Sequence, residues 1–182
     1  MKKTILTFGL ISGLFASLMI VSTVPFADKI GFDRGEILGY TVIVLSFLLV
    51  FFGIRSYRDN IGNGEITFTR AFAIGISIAL ISSICYVITW EILYFFFLPG
   101  FMDKYAAYMV HKLTASGASP AAIQAQVEQI KKYKELYDNP PINAAMTFLE
   151  DFPIGLVMTL LSAAILRKKP RTQPAQSPVA AA

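Results

Sequence analysis

The chain holds one cysteine, one histidine and one tryptophan in 182 residues. A lone Cys85 excludes an internal disulfide and leaves the redox compartment unread. With His111 as the only imidazole, the common zinc ligand sets and a Cys–His nucleophile pair are excluded too. No Gly-x-Ser-x-Gly elbow occurs, and the glycines of Gly62-Asn63-Gly64 lack both a Walker lysine and a preceding strand. An intramembrane aspartyl protease needs paired aspartates on two apolar segments, and Asp151 is the one candidate. Charged residues make up only 15% of the chain. The net charge of +4 carries no nucleic-acid signature, because the basic residues flank apolar stretches rather than share a face. These gaps point to a protein that is not an enzyme, with no catalytic residue, cofactor site or metal site expected.

Apolar residues are what the chain has in abundance. They form 55% of it, with a mean hydropathy of +0.58. They gather in four runs, at 4–24, 36–54, 71–98 and 143–166. A hydrocarbon core of ~30 Å takes about 20 helical residues to cross, and backbone polar groups there must pair within the segment. The expected fold class is all-α: a polytopic membrane protein with a four-helix transmembrane bundle over residues 1–169. Residues 170–182, rich in Pro, Gln, Ser and Ala, are expected to be a disordered cytoplasmic tail. The first run follows Lys2 and Lys3 as a secretory signal would. It exceeds the length of a signal h-region, and Pro25 stands where a small residue is wanted, so an uncleaved helix is expected.

Basic residues orient the bundle. With the N-terminus cytoplasmic, Lys2, Lys3, Arg55, Arg58, Arg70, Arg167, Lys168, Lys169 and Arg171 fall on one side. Lys29, Arg34, Lys104, Lys112, Lys131, Lys132 and Lys134 fall on the other, most of them far from a helix end. Both termini are therefore expected in the cytoplasm. Arg55, Arg58, Arg70, Arg167, Lys168 and Lys169 are candidate topology and headgroup anchors.

Small residues recur at helical spacing: Gly9, Gly13 and Ser17 in the first run, Ala71, Gly75, Ala79 and Ser83 in the third. Such stripes let two helices approach closely, within the chain or between chains. Trp90, Tyr94 and 95–97 resemble an interfacial aromatic belt. Residues 99–141 read as an extracytoplasmic helical hairpin. Phe101, Tyr105, Met109 and Leu113 form one apolar stripe, ended by Gly117. Ser119 caps a second helix with Pro120 at its first position. Ile123, Val127, Ile130 and Tyr137 give that helix an apolar face, and Glu128–Lys132 and Lys131–Glu135 are expected as i, i+4 ion pairs. His111 falls on the solvated side.

Three acids lie within the apolar runs: Glu91, Glu150 and Asp151. Helix length places all three near the extracytoplasmic boundary. They are either interfacial acids with access to water or a small cation or proton site, and Pro153 adds a local break that frees a carbonyl.

Segments from Tyr40 to Tyr105 carry a more specific pattern. Phe51-Phe52-Gly53-Ile54-Arg55-Ser56-Tyr57-Arg58-Asp59 is followed by Ile66-Thr67-Phe68, Ala71-Phe72, Gly75, Ser82-Ser83, Tyr86, Trp90-Glu91 and Pro99-Gly100-Phe101-Met102. The chain resembles, on these residues and on its four-span plan, an uncharacterised family of small bacterial inner-membrane proteins, domain of unknown function 4199. The resemblance implies a multi-pass protein of the bacterial cytoplasmic membrane and draws interest to Arg55, Arg58, Trp90 and Glu91. It brings no activity, cofactor or catalytic residue. The functional expectation is a non-enzymatic membrane component. Its small-residue helix faces and hairpin would bind membrane lipids, a second copy or another membrane protein, with no nucleic acid partner. The alternative is a small oligomeric transporter or a cation- or proton-coupled carrier using Glu91, Glu150 and Asp151.

Overall fold

The computed structural model describes residues 1–168, the side chain of Asp28 excepted. Lys169 and the expected tail at 170–182 lie outside the described residues. Six α-helices follow in order: α1 (Lys2–Thr23), α2 (Ala27–Asn60), α3 (Phe68–Ile92), α4 (Phe101–Ala115), α5 (Pro120–Tyr137) and α6 (Pro140–Leu166). Four of them, α1, α2, α3 and α6, are long and apolar enough to cross a membrane. The protein is an all-α polytopic membrane bundle.

The interior mixes large apolar side chains such as Phe47, Ile54 and Ile74 with buried polar ones, while many leucines and isoleucines face outward. Leu14, Leu18, Leu149 and Ile165 are 59%, 61%, 69% and 70% exposed, while Ser12, Ser82, Ser83, Thr159 and Asn143 are buried. With lipid as solvent, leucine gains nothing by turning inward, whereas a hydroxyl does. Ser12 on α1 donates to the Ser46 carbonyl of α2 at 2.7 Å and shares a 2.9 Å hydrogen bond with Ser82 of α3. Farther along, Thr89 of α3 donates to Ser17 of α1 at 2.8 Å.

The small-residue stripes face each other inside this chain. A methyl group added at Gly13 would lie 2.6 Å from Cβ of Cys85, and one at Gly9 2.9 Å from Ile81. On the opposite face of α3, Ala71, Ala79 and Ser83 are fully buried, and a Cβ at Gly75 would meet Thr159 of α6 at 2.8 Å. Helix α3 is thus the central post, with α1 on one side and α6 on the other. Its small faces are occupied by helices of the same chain.

Several boundaries differ from the hydropathy reading. Helix α2 begins at Ala27 rather than at residue 36, but Gly31 interrupts it with φ 70° and ψ 167°, a conformation that only glycine adopts cheaply. Helix α6 begins at Pro140 rather than at residue 143. Proline at the first helical position sacrifices no intrahelical bond, so Pro140-Pro141 starts the last span instead of merely closing the hairpin. Pro153 sits inside α6 without ending it, and its missing N–H leaves the Leu149 carbonyl without an intrahelical donor. Past Ile92, α3 widens into a π-helical turn, Leu93–Phe97, where the Leu98 N–H reaches the Leu93 carbonyl at 2.9 Å.

At the end of the bundle that holds Lys2 and Arg167, Asn63 (φ 50°) and Gly64 (φ 81°) turn the chain between α2 and α3. Ile66 and Lys168 exchange backbone hydrogen bonds of 3.2 and 2.9 Å, which tie the end of α6 to that loop. Arg55 pairs with Asp59 at 3.5 Å, though Arg58 takes the closer contact at 2.7 Å.

The α1–α3 approach gives a direct prediction. Gly13→Leu forces a side chain into Cys85 and should lower unfolding stability by about 1–3 kcal/mol, the usual scale of overpacking. Gly39→Ala, whose Cβ meets nothing within 4 Å, should be neutral or slightly stabilising through helix propensity. Thermal unfolding of both variants in one detergent checks this.

Candidate functional site: a cleft beneath the hairpin

Helices α4 and α5 form an antiparallel hairpin that folds back over the bundle. Gly117 turns it at φ 75°, and the Ser119 hydroxyl accepts from the Ala122 N–H at 3.3 Å, beginning α5. The hairpin is seated on a small apolar cluster of its own, in which Tyr94, Met102 and Ile130 are buried and Trp90, Phe101 and Tyr137 pack around them. Ring contacts carry the joint: Trp90 meets Phe101 edge-on at 5.6 Å, and Tyr94 meets Tyr137 at 6.0 Å.

A polar pin accompanies the rings. Asn143, fully buried, accepts from the Trp90 indole at 3.1 Å and from the Thr147 hydroxyl at 3.2 Å, and its amide donates to the Tyr137 carbonyl at 3.0 Å. One side chain thereby links α3, α6 and the end of α5. Tyr94 adds a 3.1 Å hydrogen bond to Asp138. Trp90 and Tyr94 are accordingly joints between elements. Phe96 and Phe97, 79% and 62% exposed, and to a lesser degree Phe95, are exposed as belt residues would be.

The expected ion pairs Glu128–Lys132 and Lys131–Glu135 do not form. Glu128 accepts from Gln124 instead, at 3.2 Å. The ion pairs of the hairpin run between helices: Lys134 of α5 to Asp103 of α4 at 2.6 Å, and Lys112 of α4 to Asp33 of α2 at 2.7 Å. The Asp33 carboxylate, followed by Tyr108, holds the Lys112 ammonium above the ordinary lysine range. His111 is exposed.

Between this hairpin and the spans lies a cleft of about 820 Å³. Its walls come from the ends of α1 and α3, the first part of α2, the hairpin and α6. Six of the eight tyrosines in the chain line it: Tyr40, Tyr86, Tyr105, Tyr108, Tyr133 and Tyr137. Such rings give an apolar wall with polar tips, the composition of a ligand site rather than of a plain core. Among the lining residues, Asp33, Glu36, Glu150 and Asp151 are acidic, and Lys112 alone is basic.

The family model described as a protein of unknown function, DUF4199, matches residues 7–168. The chain belongs to this family. Every residue that lines the cleft falls inside the match, so the DUF4199 unit includes the hairpin and its site as well as the spans. No curated protein and no solved structure matches the chain.

Of the three acids singled out in this DUF4199 chain, two come together. Glu150 accepts from the Tyr137 hydroxyl at 3.2 Å, and Asp151 sits beside it at 2% exposure, with Oδ2 lacking any hydrogen-bond partner. Glu91 is not among the lining residues, because it follows Trp90 by one position and leaves α3 in another direction. Its Oε1 is also buried without a partner. Arg55, Arg58, Arg70, Arg167 and Lys168 all belong to the far end of the bundle. The participation of Glu36, Tyr40, Tyr86 and Lys112 was not anticipated: they come from three separate helices, α2, α3 and α4, and only the excess of tyrosine could have hinted at it.

Two predictions follow from the seating of the hairpin. Asn143→Leu strands the Trp90 indole donor and should cost about 1–3 kcal/mol, read as faster tryptic cleavage at Lys131 and Lys132 with the spans still intact. The Lys112–Asp33 clasp is exposed on both sides, so salt screens it. Because the folded state raises the Lys112 pKa, the contribution of the clasp is complete below the unfolded value of about 10.4 and is lost as pH climbs through the higher folded value. Tryptic cleavage of the hairpin should therefore accelerate in molar salt at neutral pH, but not between pH 7 and 9 once corrected for the protease's own pH profile.

Proposed function

We propose that the protein is a non-catalytic, multi-pass component of a bacterial cytoplasmic membrane, with both termini in the cytoplasm, that binds a lipid-class amphiphile under its extracytoplasmic hairpin. The observation that carries this reading is the cleft itself. A volume of about 820 Å³ lies within the usual range for small-molecule sites, roughly 300–1,000 Å³. Apolar residues such as Ile20, Leu38 and Met146 line it together with the tyrosines, which suits a ligand with an apolar body and a polar end.

The orientation is supported by the clustering of Arg55, Arg58, Arg70, Arg167 and Lys168 at the end opposite the hairpin. A carrier for inorganic cations has less support. Glu91 does not share the cleft with Glu150 and Asp151, and among the described residues no group of three or more His, Cys, Asp or Glu side chains is arranged to hold a metal ion.

Trp90 supplies the test, being the only tryptophan and a lining residue. In nanodiscs containing phosphatidylglycerol with brominated chains, its emission should be quenched by chains that enter the cleft. Gly39 also lines the cleft, and a side chain there meets open space. Gly39→Phe should fill the cleft and relieve about half or more of the quenching, with the thermal unfolding midpoint preserved. Equal quenching in both proteins would exclude the cleft as a lipid site.

A further inference from the structure

We infer that the polar end of the bound amphiphile is an organic ammonium group, seated against Asp151 and Glu150 among the tyrosine rings of the cleft. The inference rests on the amphiphile-binding reading above and assigns the chemistry of the headgroup.

Asp151 is the deciding residue. It is 2% exposed, and its Oδ2 has no hydrogen-bond partner. Ser83 of α3, buried and otherwise unpartnered, is the one hydroxyl that faces this carboxylate. A carboxylate withdrawn from water with a single neighbouring hydroxyl for a donor is costly unless a cation or a proton joins it. Among the described residues that line the cleft the one basic side chain, Lys112, is committed to Asp33 at 2.7 Å. With Lys112 and Asp33 cancelling, Glu36, Glu150 and Asp151 leave the walls negative.

The rings narrow the class of cation. A small inorganic ion wants several oxygen ligands in a tight shell, and no group of three or more His, Cys, Asp or Glu side chains is arranged to supply one among the described residues. An alkylammonium takes a different environment, with ring faces around the charge and one or two carboxylates near it. Tyr86 and Tyr137 come from the same cleft walls as Asp151, and Tyr137 is hydrogen-bonded to Glu150 at 3.2 Å. The cleft already shows this contact in one place, where the Lys112 ammonium lies 5.5 Å from the centre of the Tyr108 ring. Sulfate, phosphate or carboxylate heads would meet three unneutralised acids, so an anionic lipid enters the cleft by its chains alone and yields its place to an ammonium amphiphile.

The experiment uses the full chain in the brominated phosphatidylglycerol nanodiscs, with decyltrimethylammonium and decyl maltoside as competing probes that share a tail. Recovery of Trp90 emission reports displacement from the cleft. In the wild-type protein the ammonium probe is expected to act at about tenfold lower concentration than in Asp151→Asn, the scale of one charge-assisted contact with ring support. Glu150→Gln should give a smaller shift in the same direction, and decyl maltoside should titrate all three proteins alike. If the ammonium probe titrates all three alike while Gly39→Phe still relieves quenching, the headgroup assignment is overturned and the cleft stands. If Asp151→Asn shifts both probes equally, the loss is one of packing; the assignment then holds only if Glu150→Gln shifts the ammonium probe alone, and falls otherwise. If neither probe restores emission and Gly39→Phe is quenched like wild type, amphiphile binding in the cleft fails as well.

Discussion

Hydrocarbon gives helices no hydrophobic reason to associate, so a bundle in lipid holds together only where backbones come close and polar groups find each other. In this chain both requirements meet on α3. The glycines of α1 let it settle against Ile81 and Cys85, and the missing Cβ of Gly75 admits Thr159 of α6. Ser12, Ser46 and Ser82 then share hydrogen bonds across three helices. Widening any of these contacts separates the others, because dispersion falls steeply with distance.

That central post explains how a bundle with few polar residues holds a site at one end. At that end the first part of α2 is redirected at Gly31. The hairpin roofs the resulting opening. Aromatic contacts do most of the seating, because Trp90, Tyr94, Phe101 and Tyr137 offer large surfaces whose polar tips can still be satisfied by Asn143 and Asp138. The exposed ion pairs of Lys112 and Lys134 steer the hairpin into register more than they hold it there.

The spans and the cap at Ser119 are legible from sequence because each depends on local chemistry: hydropathy for the spans, and a side-chain oxygen before Pro120 for the cap. The start of α6 at Pro140 was less so, since a proline pair reads equally as an end or a beginning. The cleft was not legible. Its walls come from residues as far apart as Met19 and Asp151, and nothing local says that Glu36, Tyr86 and Glu150 face one space. Glu91 shows the complementary error. Depth along a helix placed it with Glu150 and Asp151, but the direction in which a side chain leaves its helix depends on packing that no single run of sequence records.

The two backbone hydrogen bonds between Ile66 and Lys168 have a mechanical meaning for the acid-bearing helix. They rivet the far tip of α6 to the neighbouring connection, while Asn143 pins the near tip to Trp90. A rod fastened at both extremities can neither slide like a piston nor tilt freely. What it retains is a slight twist about its own long axis, with Pro153 as the softest point.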